Sequence, residues 1–164
     1  GQITKEVLTD LEVRIEKSKA KLELGTLPTI DADSLQMRQL LQNLISNSLK
    51  FQASGAQPVV KIDARLVKRP FSCVKDPTPD DEVCELTVQD NGIGFEDQYV
   101  EKIFAVFQRL HGRSEYEGTG VGLAVCRRIA DRHGGTITAQ GKPGEGAVFT
   151  VNLPVRQPNG GSHP

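Results

Sequence analysis

Two asparagines and a lysine interrupt an apolar stretch in QLLQNLISNSLKF, residues 39–51. Asn43, Asn47 and Lys50 stand four and three residues apart, so on a helix they share one polar stripe beside an apolar face. An amide oxygen is a hard ligand suited to magnesium. A lysine one turn further on is a phosphate partner. Ordinary surface polarity would give the same stripe, and the stripe alone does not decide between them.

Three more clusters follow. Asp90-Asn91-Gly92-Ile93-Gly94 comes directly after a strand pattern. Its glycines permit sharp turning and close backbone approach to a ligand, and its carboxylate can accept from an exocyclic amine. A plain strand-to-helix turn explains the same residues. Ile103-Phe104-Ala105-Val106-Phe107-Gln108-Arg109 carries two phenylalanines at helical spacing, which is usually core, with Arg109 in reach of a phosphate. Gly118-Thr119-Gly120-Val121-Gly122-Leu123 opens a helix, where free backbone N–H groups favour an anion. A flexible hinge would look alike. This is not a P-loop, because no Gly-Lys-Ser/Thr follows.

The elements that must position these residues are readable from periodicity. Ile3, Val7, Leu8, Leu11 and Ile15 predict a helix over about 3–17. Ala20 to Leu24 predicts a short edge strand. Asp33 with Gln36 resembles a capping box and starts a helix running to about Phe51, with Met37, Leu40, Leu41, Leu44 and Ile45 on its apolar face. Val60 to Leu66 and Cys84 to Val88 alternate as half-buried strands around a polar loop at 70–82. Tyr99–Phe107 predicts a short helix, 108–120 a mobile loop, and Val121–His133 a helix whose basic residues suit its C-terminal dipole. Strands over Thr136–Gln140 and Ala147–Leu153 flank the turn KPGEG. The expected fold class is α/β (α+β), with helices over one face of a mixed sheet. It is not a Rossmann pattern, because no GxGxxG follows the first strand. Residues 1–154 read as one domain and 155–164 as a disordered tail or linker.

Bulk properties narrow the options. Lys+Arg at 20 against Asp+Glu at 21 gives no electrostatic case for nucleic acid or an acidic membrane. The three cysteines fit neither a disulfide framework nor a zinc site and predict reduced cytoplasmic thiols. No signal peptide or spanning segment is readable, so any anchor of a parent protein is expected outside this stretch.

Each cluster is modest, but their order is specific. N-x-x-x-N-x-x-K, D-x-G-x-G, F-x-x-F and G-x-G-x-G resemble the N, G1, F and G2 boxes of histidine kinase catalytic domains, within the superfamily shared with Hsp90, gyrase B and MutL. The segment FQRLHGRSEYEGTGVGLAVCRRIADRHGG looks most like phytochrome-like and PAS-linked sensor kinases. The resemblance implies a Bergerat two-layer sandwich, with a mostly antiparallel sheet covered on one face by about three helices. It implies ATP and Mg2+ as ligands. Asn47, assisted by Asn43, would coordinate magnesium; Lys50 would meet phosphates and Phe51 the adenine. Asp90 would accept from the adenine amine, with Gly92 and Gly94 shaping the pocket. Residues 108–120 would be the lid, Arg109 or Arg113 would contact the γ-phosphate, and Gly118, Thr119, Gly120, Gly122 and Leu123 would line the triphosphate.

The implied partners are dimerisation and phosphoacceptor helices and a response regulator receiver domain, with the isolated domain a monomer. None of His111, His133 and His163 fits the acceptor position, so the phosphorylated histidine is expected elsewhere and this domain alone should not autophosphorylate. Asn43 stands where the ATP-driven clamps carry a glutamate base, which argues against efficient hydrolysis. An anti-sigma-type serine kinase and a non-catalytic docking module are the remaining alternatives.

Overall fold

The computed structural model describes residues 2–30, 32–50, 52, 55, 57–68, 82–96, 98, 103–104 and 122–155. Helix α1 (Gln2–Asp10) and helix α2 (Glu12–Ser18) occupy the stretch expected as one helix. Only Leu11 departs from helical geometry. The Leu11 N–H still bonds to the Val7 carbonyl and the Ile15 N–H to the Leu11 carbonyl, each at 3.0 Å, so Leu11 keeps helical hydrogen bonds to both pieces. Lys19 ends α2 in the left-handed region at φ 56°.

Strand β1 (Lys21–Leu24) follows, then helix α3 (Ser34–Lys50). Met37, Leu40, Leu41, Leu44, Ile45, Ser48 and Leu49 form its buried stripe, the three- and four-residue spacing that an amphipathic helix requires. Asp33 Oδ1 accepts from the Gln36 N–H at 2.9 Å, the expected N-cap. The second half of the capping box is replaced. The Asp33 N–H donates to His133 Nε2 at 3.1 Å, while the Gln36 side-chain oxygen is buried without a partner. Replacing Asp33 with alanine should lower unfolding free energy by about 1 kcal/mol, measurable by urea denaturation.

Strands β2 (Val59–Lys68) and β3 (Glu82–Asp90) pair antiparallel, with Ile62 opposite Val88 and Ala64 opposite Leu86. Helix α4 (Gly122–Arg132) and strands β4 (Thr136–Lys142) and β5 (Gly146–Pro154) complete the described elements. The strand order is β1-β2-β3-β5-β4, with β1 parallel to β2 and the other pairs antiparallel. The fold is therefore the expected mixed, mostly antiparallel sheet under a layer of helices. Alternate residues of β2, β3 and β5 meet the apolar stripes of α1, α3 and α4 in one core around Leu40, Leu44, Val88 and Phe149. Arg38 ties α3 to α1 through Glu6 and Asp10.

Of the expected short helix over Tyr99–Phe107, only Ile103 and Phe104 lie within the described residues. Phe104 is core, 6.3 Å edge-on to Phe149, with the Arg127 guanidinium 5.3 Å from its ring centroid. Arg127 thus stacks on a ring from the middle of its helix, and of the basic residues expected to serve the helix end only Arg132 lies in its last turn. Cys84 and Cys126 are free thiols; Cys73 lies outside the described residues. Burial raises the pKa of both, that of Cys126 to about 12, so neither is poised as a nucleophile.

Candidate functional site

Asp90 ends β3, and its side chain turns into the protein rather than out of it. It is 8% exposed. Its Oδ1 accepts from the Gly92 N–H at 2.8 Å. Burial pushes its pKa above the usual carboxylate range; the Gly92 N–H, the Ser48 hydroxyl and the Ala147 N–H pull the other way without cancelling it. A carboxylate kept in so poor a solvent needs a reason, and a cationic or amine-bearing ligand supplies one.

The turn around Asp90 is held by a second glycine-rich turn. The Gly144 N–H donates to the Ile93 carbonyl at 2.8 Å. Gly94 has φ 68°, and a Cβ there would fall 2.2 Å from the Lys142 carbonyl oxygen. Gly146 has φ 109°, and a Cβ there would fall 2.1 Å from the Asp90 carbonyl oxygen. Residues 90–94 and 142–146 are therefore backbone against backbone, and side chains at Gly94 or Gly146 would force them apart. Asn91 adds a clamp on the other flank. Its Oδ1 accepts from the Val59 N–H at 2.8 Å and its amide donates to the Gln57 carbonyl at 3.0 Å.

Helix α3 lies over this end of β3. Ser48 faces the Asp90 carboxyl. Its neighbour Asn47, and Asn43 and Lys50, are half-buried along the same helix. Asn43 reaches α4. A Cβ on Gly122 would stand 3.8 Å from its amide, and its side chain also influences the Cys126 thiol. Asp90, Gly92, the second half of α3 and the first turn of α4 thus converge. Leu123 is half-buried and packs on the core. Phe51, Arg109, Arg113, Gly118, Thr119 and Gly120 lie outside the described residues.

Sequence reasoning missed Ser48, Asn91 and Gly146. Glycine density in KPGEG was the one available signal for the last. An apolar groove of about 220 Å³ opens near the other end of β3, lined among others by Ile3, Leu27, Met37, Cys84 and Leu153. None of the described site residues lines it.

His133 does not face solvent at the end of α4. It is buried, with Nε2 accepting from Asp33 and Nδ1 2.8 Å from the Ile129 carbonyl oxygen. Both ring nitrogens are engaged, which bars it as a phosphoryl acceptor in this fold. Among the described residues no three of His, Cys, Asp and Glu cluster as metal ligands, and no helix is long and apolar enough to cross a membrane.

A two-layer sandwich with a buried carboxylate at a strand end, under an asparagine-bearing helix, defines a nucleotide-binding ATPase domain of the histidine kinase type. Residues 32–157 match the family model described as histidine kinase-, DNA gyrase B-, and HSP90-like ATPase, and the chain belongs to that family. It is 40% identical over 154 residues to the phytochrome-like protein Cph1 of Synechocystis, covering 94% of this chain and 19% of Cph1. It is 35% identical to the adaptive-response sensory kinase SasA of Prochlorococcus marinus, covering 98% of this chain and 40% of SasA. The catalytic domain of the histidine kinase ThkA superposes with a TM-score of 0.68 at 26% identity, covering 94% of this chain and 93% of that one. ThkA has also been solved in complex with the response regulator protein TrrA, with a TM-score of 0.65. The domain is thus homologous to sensor-kinase catalytic domains, and it spans well under half of the curated relatives named here.

Proposed function

We propose that this domain binds Mg-ATP and presents its γ-phosphoryl group to a histidine on a dimerisation helix outside this chain, for relay to a response regulator receiver domain. The observation that carries the reading is the buried Asp90 carboxylate facing the asparagine-bearing helix α3. Asp90 accepts from the adenine amine, the contact that selects the base. Lys50, Arg109 and Arg113 oppose the phosphate charge. Gly118, Thr119, Gly120, Gly122 and Leu123 would line the triphosphate, as backbone N–H groups at a helix N-terminus can. Phe51 covers the base.

The donor set fits magnesium. Asn47 and Asn43 offer amide oxygens, and a hard cation completes its shell with phosphate oxygens and water. Bound there, the ion would supply charge neutralisation of the phosphates. Asn43 cannot take a proton from water, so this chain's residues favour transfer to a histidine over hydrolysis. Buried, free thiols agree with a cytoplasmic domain.

Calorimetry with Mg-ADP tests the reading. The wild type should bind, and chelating magnesium should weaken binding. Asn47→Ala should lose roughly 10- to 100-fold in affinity and become insensitive to chelation. In the full-length protein the phosphate should be acid-labile and base-stable, as on histidine. Phosphoserine instead would favour the serine-kinase alternative, and a folded wild type that binds no ADP would leave only a docking module.

A further inference from the structure

Ser48 is out of place. Every other buried residue of α3 is apolar, and Ser48 continues the same stripe, four residues after Leu44 and three after Ile45. It is 1% exposed, and its hydroxyl has no hydrogen-bond partner. Its backbone carbonyl is already used, accepting from the Gln52 side chain at 2.6 Å. A buried hydroxyl without a partner destabilises the fold, and alanine would fill the position without that cost. The hydroxyl faces the one buried carboxyl of the site, whose Oδ1 is already held by Gly92.

We propose that Ser48 is a positioning residue for base recognition: its hydroxyl donates to the Asp90 carboxylate and holds it in the orientation that accepts a 6-amino group, so that Ser48 sets the preference for 6-aminopurine nucleotides. The hydrogen bond is made when the amine docks. The hydroxyl acts through Asp90 and need not touch the base. This rests on the reading of Asp90 as the acceptor for adenine, and deepens it.

The effect should therefore depend on the amine. Ser48→Ala should lower the affinity for Mg-ADP about 3- to 10-fold. The affinity for purine riboside 5′-diphosphate, which lacks the 6-amino group, should change less than about 2-fold on the same scale. Ser48→Thr restores a hydroxyl and should recover most of the ADP affinity. Calorimetry on the full chain with both nucleotides, and thermal unfolding to show that the variants fold, decides the matter. Equal losses for both nucleotides would overturn the inference, since a purely structural role does not distinguish the amine. No loss for either would also overturn it, while the site reading survives if Asp90→Asn still weakens ADP binding. A wild type that fails to bind ADP would bring down both.

Discussion

Asp90→Asn is expected to weaken adenine-nucleotide binding roughly 10- to 150-fold, the range for losing a hydrogen bond to a charged group, while raising the melting temperature at neutral pH. The two effects share one cause. The amide oxygen of asparagine can keep the Gly92 N–H, but its NH2 then meets the adenine amine donor to donor. Turned round, it loses Gly92 instead. Stability moves the other way because burial raises the folded pKa of Asp90 above its unfolded value. The unfolded chain then releases this proton at lower pH than the folded one does. Between the ordinary carboxylate pKa and the raised one, the folded state holds more protons, so stability falls as pH rises through that window. Above it the destabilisation is complete, and below both values it vanishes. Asparagine removes the group altogether. The variant should therefore melt above the wild type at about pH 7.5, with the gap closing towards about pH 4. Thermal unfolding at the two pH values, with calorimetry of Mg-ADP, gives both readouts. ADP binding that survives in the variant would remove Asp90 as the base acceptor. A gap that does not change with pH would mean that burial is not what perturbs the carboxyl.

That opposition explains how the site was legible in sequence. A helix such as α3 reveals itself because burial on one face repeats every three to four residues, and Met37, Leu40, Leu41, Leu44 and Ile45 keep that period. The β2, β3 and β5 alternations are legible for the equivalent reason, with a period of two. Asp90 was recognisable only through the order of the motifs around it. As a lone residue it is a turn carboxylate. What escaped are contacts between segments far apart in the chain. His133 caps α3 from 100 residues away, and nothing local separates it from a surface histidine at a helix end. The turn after β4 clasps the turn after β3, and composition says only that both can bend. In sequence Ser48 is one small polar residue beside Asn47; only its burial and its unmatched hydroxyl set it apart.

The clasp between the two turns yields the prediction with the largest cost in stability. Gly144 and Gly146 both have positive φ, 80° and 109°, so alanine strains the backbone at either. Their surroundings differ. A Cβ on Gly144 meets nothing within 4 Å, whereas one on Gly146 falls on the Asp90 carbonyl. Gly144→Ala should therefore cost only conformational strain, about 1–2 kcal/mol. Gly146→Ala adds a collision that β3 and β5 can relieve only by separating at the site, and should cost roughly 2–5 kcal/mol. Because that separation moves Asp90 itself, the folded fraction of Gly146→Ala should also bind Mg-ADP more weakly than the wild type, while Gly144→Ala should bind nearly as well. Denaturant unfolding and calorimetry on the pair separate the two terms. If both variants lose the same small amount of stability and keep ADP affinity, strain alone is at work and the clasp does not position the carboxylate. If Gly146→Ala loses both, Asp90 is held in place as much by the backbone of the opposite turn as by its own hydrogen bond to Gly92.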